Sequence, residues 1–151
     1  MSSRGFEFAG MLDGSNATPV IRDFILGTAS AYTMGDLVVQ AADGDVDKVT
    51  TGITEVTGVM METVPAAAIT AGTTTAKVAI ITRNQIWRCS MDSATCTIVC
   101  GYAKTVDTAD CNTLDANGTG GSAILLSRDM VDDDGYVLAE VVFPDTTWGN
   151  V

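Results

Sequence analysis

Histidine is absent from this 151-residue chain, and lysine occurs only at Lys48, Lys77 and Lys104. Without an imidazole, neither a Ser-His nor a Cys-His nucleophile pair can be assembled, and the commonest metal ligand is missing. Neither a G-x-S-x-G elbow nor a phosphate-cradling Walker loop is present. No apolar run approaches the roughly 20 residues that a helix needs to span a bilayer, so no membrane partner is expected. The opening residues, MSSRGFEFAGMLDGS, contain no apolar h-region, and no secretory leader is expected. Helical periodicity is scarce as well, because no window keeps i, i+3, i+4 apolar spacing for three turns.

What is present is lopsided in charge. Nineteen acidic residues face eight basic ones, giving a net charge of −11. Such a chain repels phosphate backbones, whose binding depends on neutralisation by Lys and Arg, so no nucleic-acid partner is expected. The same charge keeps a protein soluble at high local concentration. A hydrophobic fraction of 46% and a mean hydropathy of +0.25 argue against disorder. The length fits one domain that needs neither metal nor disulfide to complete its core.

Threonine occurs 21 times, with frequent Val and Ile, and these β-branched residues suit pleated strands. Short apolar runs alternate with Gly, Asp and Asn punctuation, which predicts an all-β sandwich or barrel with little helix. Strands are expected at Phe24–Leu26, Asp36–Ala41, Lys48–Thr51, Val56–Val64, Ala76–Thr82, Ile86–Cys89 and Thr95–Cys100. Asp43–Asp47 reads as a turn, and Gly58 as a bulge. Val78 and Ile80 share one strand face and Ala79 and Ile81 the other, with both faces apolar. Arg83–Gln85 is expected to turn the chain. Ala123–Ser127 and Tyr136–Phe143 form the clearest pair, joined through DMVDDDG with its Asp134–Gly135 hairpin signal. A single helical turn is expected at Pro65–Ile69 and a helix of one or two turns around Thr108–Leu114.

The two ends differ from the middle. Residues 1–22 are punctuated by glycine yet carry Phe6, Phe8, Met11 and Leu12, and residues 145–151 carry Trp148. The domain expectation is therefore an N-terminal arm over 1–22, a β-domain over 23–144 and a C-terminal tail over 145–151. Isolated large apolar groups in terminal segments dock either on their own domain or on a neighbour.

Three of the four cysteines fall in CSMDSATCTIVC, and the spacing Cys89-x6-Cys96-x3-Cys100-x10-Cys111 contains no C-x-x-C. That removes a thioredoxin-like pair, and a zinc site with closely paired ligands. On a strand, Cys96 and Cys100 would share a face with Cα atoms roughly 13 Å apart, beyond the reach of a disulfide. Small core residues or a bridge involving Cys89, Cys96, Cys100 or Cys111 with another partner stay open. DGDVDKVTTGITE places Asp43, Asp45 and Asp47 at calcium-loop positions, but Lys48 and Thr54 stand where an EF-hand needs glycine and glutamate. The acids cluster in turns, and glutamate occurs only at Glu7, Glu55, Glu62 and Glu140, so a catalytic carboxylate pair finds little support. No enzyme activity, cofactor or resident metal is expected. The sequons at Asn16 and Asn117 read as accidental.

An order of segments carries a resemblance. GDLVV (35–39) is followed by an Asp-rich stretch, then by TEVTGVMMETV (54–64) with a central glycine. AGTTTAKVAIIT (71–82) leads through a short turn to QIWRC (85–89), and the chain closes on a hairpin ending VVF (141–143). Over residues 24–144 this resembles the head-decoration, or cement, proteins of tailed bacteriophages. The chain departs from them in its four cysteines and its longer, apolar N-terminal segment. The resemblance implies a compact β-barrel or β-tulip domain, made in the host cytoplasm and placed on the outer surface of the virion. It also implies the major capsid protein as partner and a homo-oligomer, with a trimer favoured by the local symmetry axes of such shells. Phe6, Phe8, Met11, Leu12 and Trp148 are then the candidate capsid-facing or intersubunit contacts. Deleting residues 2–12 would be expected to abolish capsid binding and leave a folded protein.

Overall fold

The structure, a computed structural model, describes residues 5–50, 55–93, 101, 103–104, 111–118, 120–121, 123–131 and 134–147. Ten strands follow in chain order: β1 (Glu7–Met11), β2 (Ile21–Ile25), β3 (Leu37–Gln40), β4 (Val46–Lys48), β5 (Gly58–Met60), β6 (Thr75–Ile80), β7 (Gln85–Ser90), β8 (Ala103–Lys104), β9 (Ala123–Val131) and β10 (Val137–Val142). They form two five-stranded antiparallel sheets, ordered β1-β7-β10-β9-β8 and β2-β6-β5-β3-β4. Of the expected barrel, tulip and sandwich, the sandwich is realised, because the sheets are two layers and do not close on each other. One 3-10 turn, Ala66–Ala68, occupies the helical turn expected at Pro65–Ile69. No helix among the described residues is long and apolar enough to cross a membrane.

Alternation builds the core. Phe6, Trp87, Leu125, Val141 and Phe143 from the first layer meet Leu37, Val59, Ala79 and Ile81 from the second, all in one buried cluster. The Phe6 and Phe143 rings lie 5.6 Å apart and tilted, so the start of the described chain packs against its end. The second sheet buries its other face too. There Val38, Val46, Met60, Ala76 and Val78 join Leu26, Tyr32 and Ile69 in a second cluster, covered by loops. Val78 and Ala79 are both buried, as the two apolar faces of the Ala76–Thr82 run require.

Three local features set the geometry. The turn before β7 is held by Gln85, whose Oε1 accepts hydrogen bonds from the Thr82 N–H (3.0 Å) and the Trp87 indole N–H (3.1 Å). The only polar atom of the buried Trp87 side chain is thereby satisfied. Gly58 is not a bulge, since its register runs without a break from Val38 across to Ile80. A Cβ there would collide with the Ala79 carbonyl oxygen and the Val78 side chain, so close approach of β5 to β6 is what requires glycine. Bulges lie instead between Phe8 and Gly10 in the β1–β7 pair, and at two points where the longer β9 opposes β10.

The expected arm is woven into the domain. Residues 7–11 form β1 at the edge of the first sheet, and the boundary expected near residue 22 falls inside β2. Just before β1, the chain crosses the loop that ends at Gly35. The Phe6 N–H donates to the Gly35 carbonyl at 3.0 Å, and a Cβ on either Gly5 or Gly35 would lie 2.8 Å from the other's Cα. Gly35 also has φ +94°, a left-handed value that favours glycine. At the other end, residues 145–147 dock beside Val56. The Val56 N–H donates to Asp145 O (3.1 Å) and the Thr147 N–H to Val56 O (2.9 Å), while the Thr57 and Thr147 hydroxyls lie 2.7 Å apart.

Candidate functional site

One row of side chains crosses the inner face of the second sheet. Leu37 pairs with Val59, Val59 with Ala79, and Ala79 with Ile21, so the four point the same way. The first three are 0%, 1% and 2% exposed, whereas Ile21 is 50% exposed. The opposing sheet therefore covers the row as far as β6 and stops before β2. The next inner-face position on β2 holds Asp23, ion-paired to Lys77 at 3.2 Å with both side chains largely in solvent, and Ile25 beyond it is exposed. Surface pairs of this kind contribute little to stability.

Where the cover stops, a cleft of about 610 Å³ opens between the two layers. Phe8 and Trp87 form one wall, their rings 5.7 Å apart in an edge-on arrangement. Ile21 and Ala79 of the second sheet face them, and Met34, Gly35, Met60, Met61, Thr18 and Pro19 also line the cleft. Met34 is 58% exposed, and Val20 and Met61 are exposed nearby. Large apolar side chains gathered around one concavity mark an interaction site more often than scattered ones do. The one charged residue in the lining is Glu7. Beyond β1, the Asp13 carboxylate is held below the usual carboxylate range by the hydrogen bond it accepts from the Ser15 N–H at 2.9 Å.

The sequence-expected contacts separate here. Phe6 is 3% exposed and packs its ring on Phe143 in the core of its own chain, and it also contributes to the cleft lining. Phe8 is half-buried and lines the cleft. Met11 is partly buried at the end of β1, and Leu12, 52% exposed, follows it outside the cleft lining. Trp148 lies outside the described residues. Ile21, Met34 and Met61 are additions, and only their exposure as apolar residues on the folded sandwich identifies them. No run of sequence brings them together.

The cysteines divide in the same way. Cys89 and Cys111 are buried and are not cross-linked to each other, and the Cys89 sulfur sits 3.3 Å from Ser90 O and 3.2 Å from Asn112 O. Cys96 and Cys100, with the strand expected at Thr95–Cys100, lie outside the described residues, as do residues 108–110 of the turn expected around Thr108–Leu114. Among the described residues no group of three or more Cys, Asp or Glu side chains is placed to hold a metal ion.

Fold and cleft together define an antiparallel β-sandwich with an apolar opening along one lateral edge. No protein-family model matches the chain, and no curated protein matches it.

Proposed function

We propose that this chain is a structural virion protein, a decoration protein that binds the exterior of an assembled phage head and stabilises it by bridging neighbouring capsid subunits. The observation that carries the reading is the lateral apolar cleft. Both apolar clusters of the domain close within one chain, so Ile21, Met34 and Met61 are surplus to folding and suit contact with another protein. The resemblance in segment order supplies the kind of surface, a capsid lattice. A net charge of −11 suits the outside of a particle, where like charge keeps particles apart. A small oligomer, with a trimer favoured, would gain avidity because each further contact becomes intramolecular after the first.

The test is cosedimentation of the purified protein with assembled, undecorated heads and, separately, with unassembled capsid subunits. Binding to heads alone is expected, with a raised melting temperature of the shell. Failure to bind heads would overturn the reading. Growth of filaments from the purified protein alone would replace it with a tail-tube role, for which the sheet edges at β1 and β2 could serve. The 2–12 deletion is a poor probe, because it removes Phe6 from the core and β1 from its sheet.

A further inference from the structure

From the cleft and its bounding edge we infer that the open side of the sandwich accepts an extended segment of a partner protein as an added strand on β1. That segment would carry apolar side chains at alternate positions and Lys or Arg at its ends. The inference deepens the docking role proposed above and rests on it for the cleft's use, but not on the partner being a capsid.

The argument starts from the uncovered row. Among the described residues, β1 has a strand neighbour on one side only, β7. A strand added on its other side would lie about 4.8 Å away and extend the first layer over β2. Every second side chain of that strand would then enter the cleft and meet Ile21, while the others faced solvent. The Leu37–Val59–Ala79–Ile21 row would be covered along its whole length. Main-chain hydrogen bonds would supply affinity, and the cleft would select the inward side chains. The bulge between Phe8 and Gly10 bends this edge, which restricts the register a partner can adopt and guards the free protein against indiscriminate pairing.

Charge chooses the occupant. A net charge of −11 disfavours a second copy of the same chain in the cleft and favours a segment with basic ends.

Selection from a random linear dodecapeptide library, displayed without constraint, tests the inference on the full-length protein. Expected winners alternate apolar and polar residues and end in Lys or Arg. They should bind the Ile21→Glu variant at least about tenfold more weakly, lose binding when a central residue is changed to Pro, and slow amide exchange in Phe8–Met11. Ile21 is half exposed, so this variant should keep the wild-type melting temperature, and Met34→Glu provides an independent second variant. Winners that are acidic, or that bind both variants as well as wild type, would overturn the inference. So would a library yielding nothing that distinguishes wild type from Ile21→Glu. A dimer in sedimentation that Ile21→Glu dissolves would assign the cleft to a second copy instead. Heads still bound by both variants would sink the cleft inference and leave the capsid proposal standing. Peptide binding without head binding would do the reverse.

Discussion

The inner face of the β2-β6-β5-β3-β4 sheet meets another sheet, whereas its outer face meets loops. The inner layer is made of alternating apolar residues supplied by two sets of strands, with the Trp87 indole N–H its notable polar atom, satisfied by Gln85. The outer layer is smaller and is tied by polar hooks. The Tyr32 hydroxyl lies 3.0 Å from the Thr28 hydroxyl and donates to Val46 O at 3.2 Å, and the Lys48 ammonium sits 5.8 Å over the Tyr32 ring on its way to Ala31 O. Loops lack a strand's regular presentation of side chains, so hydrogen bonds fix what alternation cannot. The comparison teaches where stability and function separate: two coverings close the sheet, and β2 is the place where the inner one ends.

Three substitutions sharpen that contrast. Trp87→Ala empties the centre of the inner layer and should cost about 3–5 kcal/mol in denaturant unfolding; a loss as small as that for the outer layer would refute the ranking. Gly58→Ala acts on the sheet between the layers. Forcing β5 away from β6 should cost about 1–3 kcal/mol, read as a lower unfolding midpoint with an unchanged slope. Tyr32→Phe removes only the outer layer's hydroxyl hook and should cost about 1 kcal/mol. A larger effect of Tyr32→Phe than of Gly58→Ala would mean that the loops, not the strands, dominate the stability of this sheet.

The strands that could be read from sequence are those whose signals are local. Asp134–Gly135 marks the β9–β10 turn, with Gly135 at φ +86°, and Pro65 starts the 3-10 turn. The apolar alternation of AKVAII places Val78 and Ala79 on opposite buried faces. β1 is different, because EFAGM has weak strand propensity and contains a glycine. It is a strand because β7 pairs with it, a long-range fact invisible in the segment itself. Gly58 looked like a bulge because a glycine inside a strand has two causes, and only the position of Ala79 distinguishes them. The candidate contacts were half legible for a similar reason. Apolar residues in the first dozen positions stand out, but which are consumed by the fold depends on Phe143, at the other end of the chain. Met34, Met61 and Ile21 come from separate segments and become neighbours only through topology.

The crossing at Gly5 and Gly35 carries a consequence for biosynthesis. The first described residues find their partners late: β1 needs β7, and Phe6 needs Phe143. At about 5–20 residues per second on a ribosome, Phe6 and Phe8 wait on the order of ten seconds after emerging before the last of these partners exists. β7 and Trp87 become available to β1 and Phe8 partway through that interval, whereas Phe6 must wait for Phe143. The segment that looks like a free arm in the sequence is thus fastened in two stages, β1 by β7 and Phe6 later by Phe143.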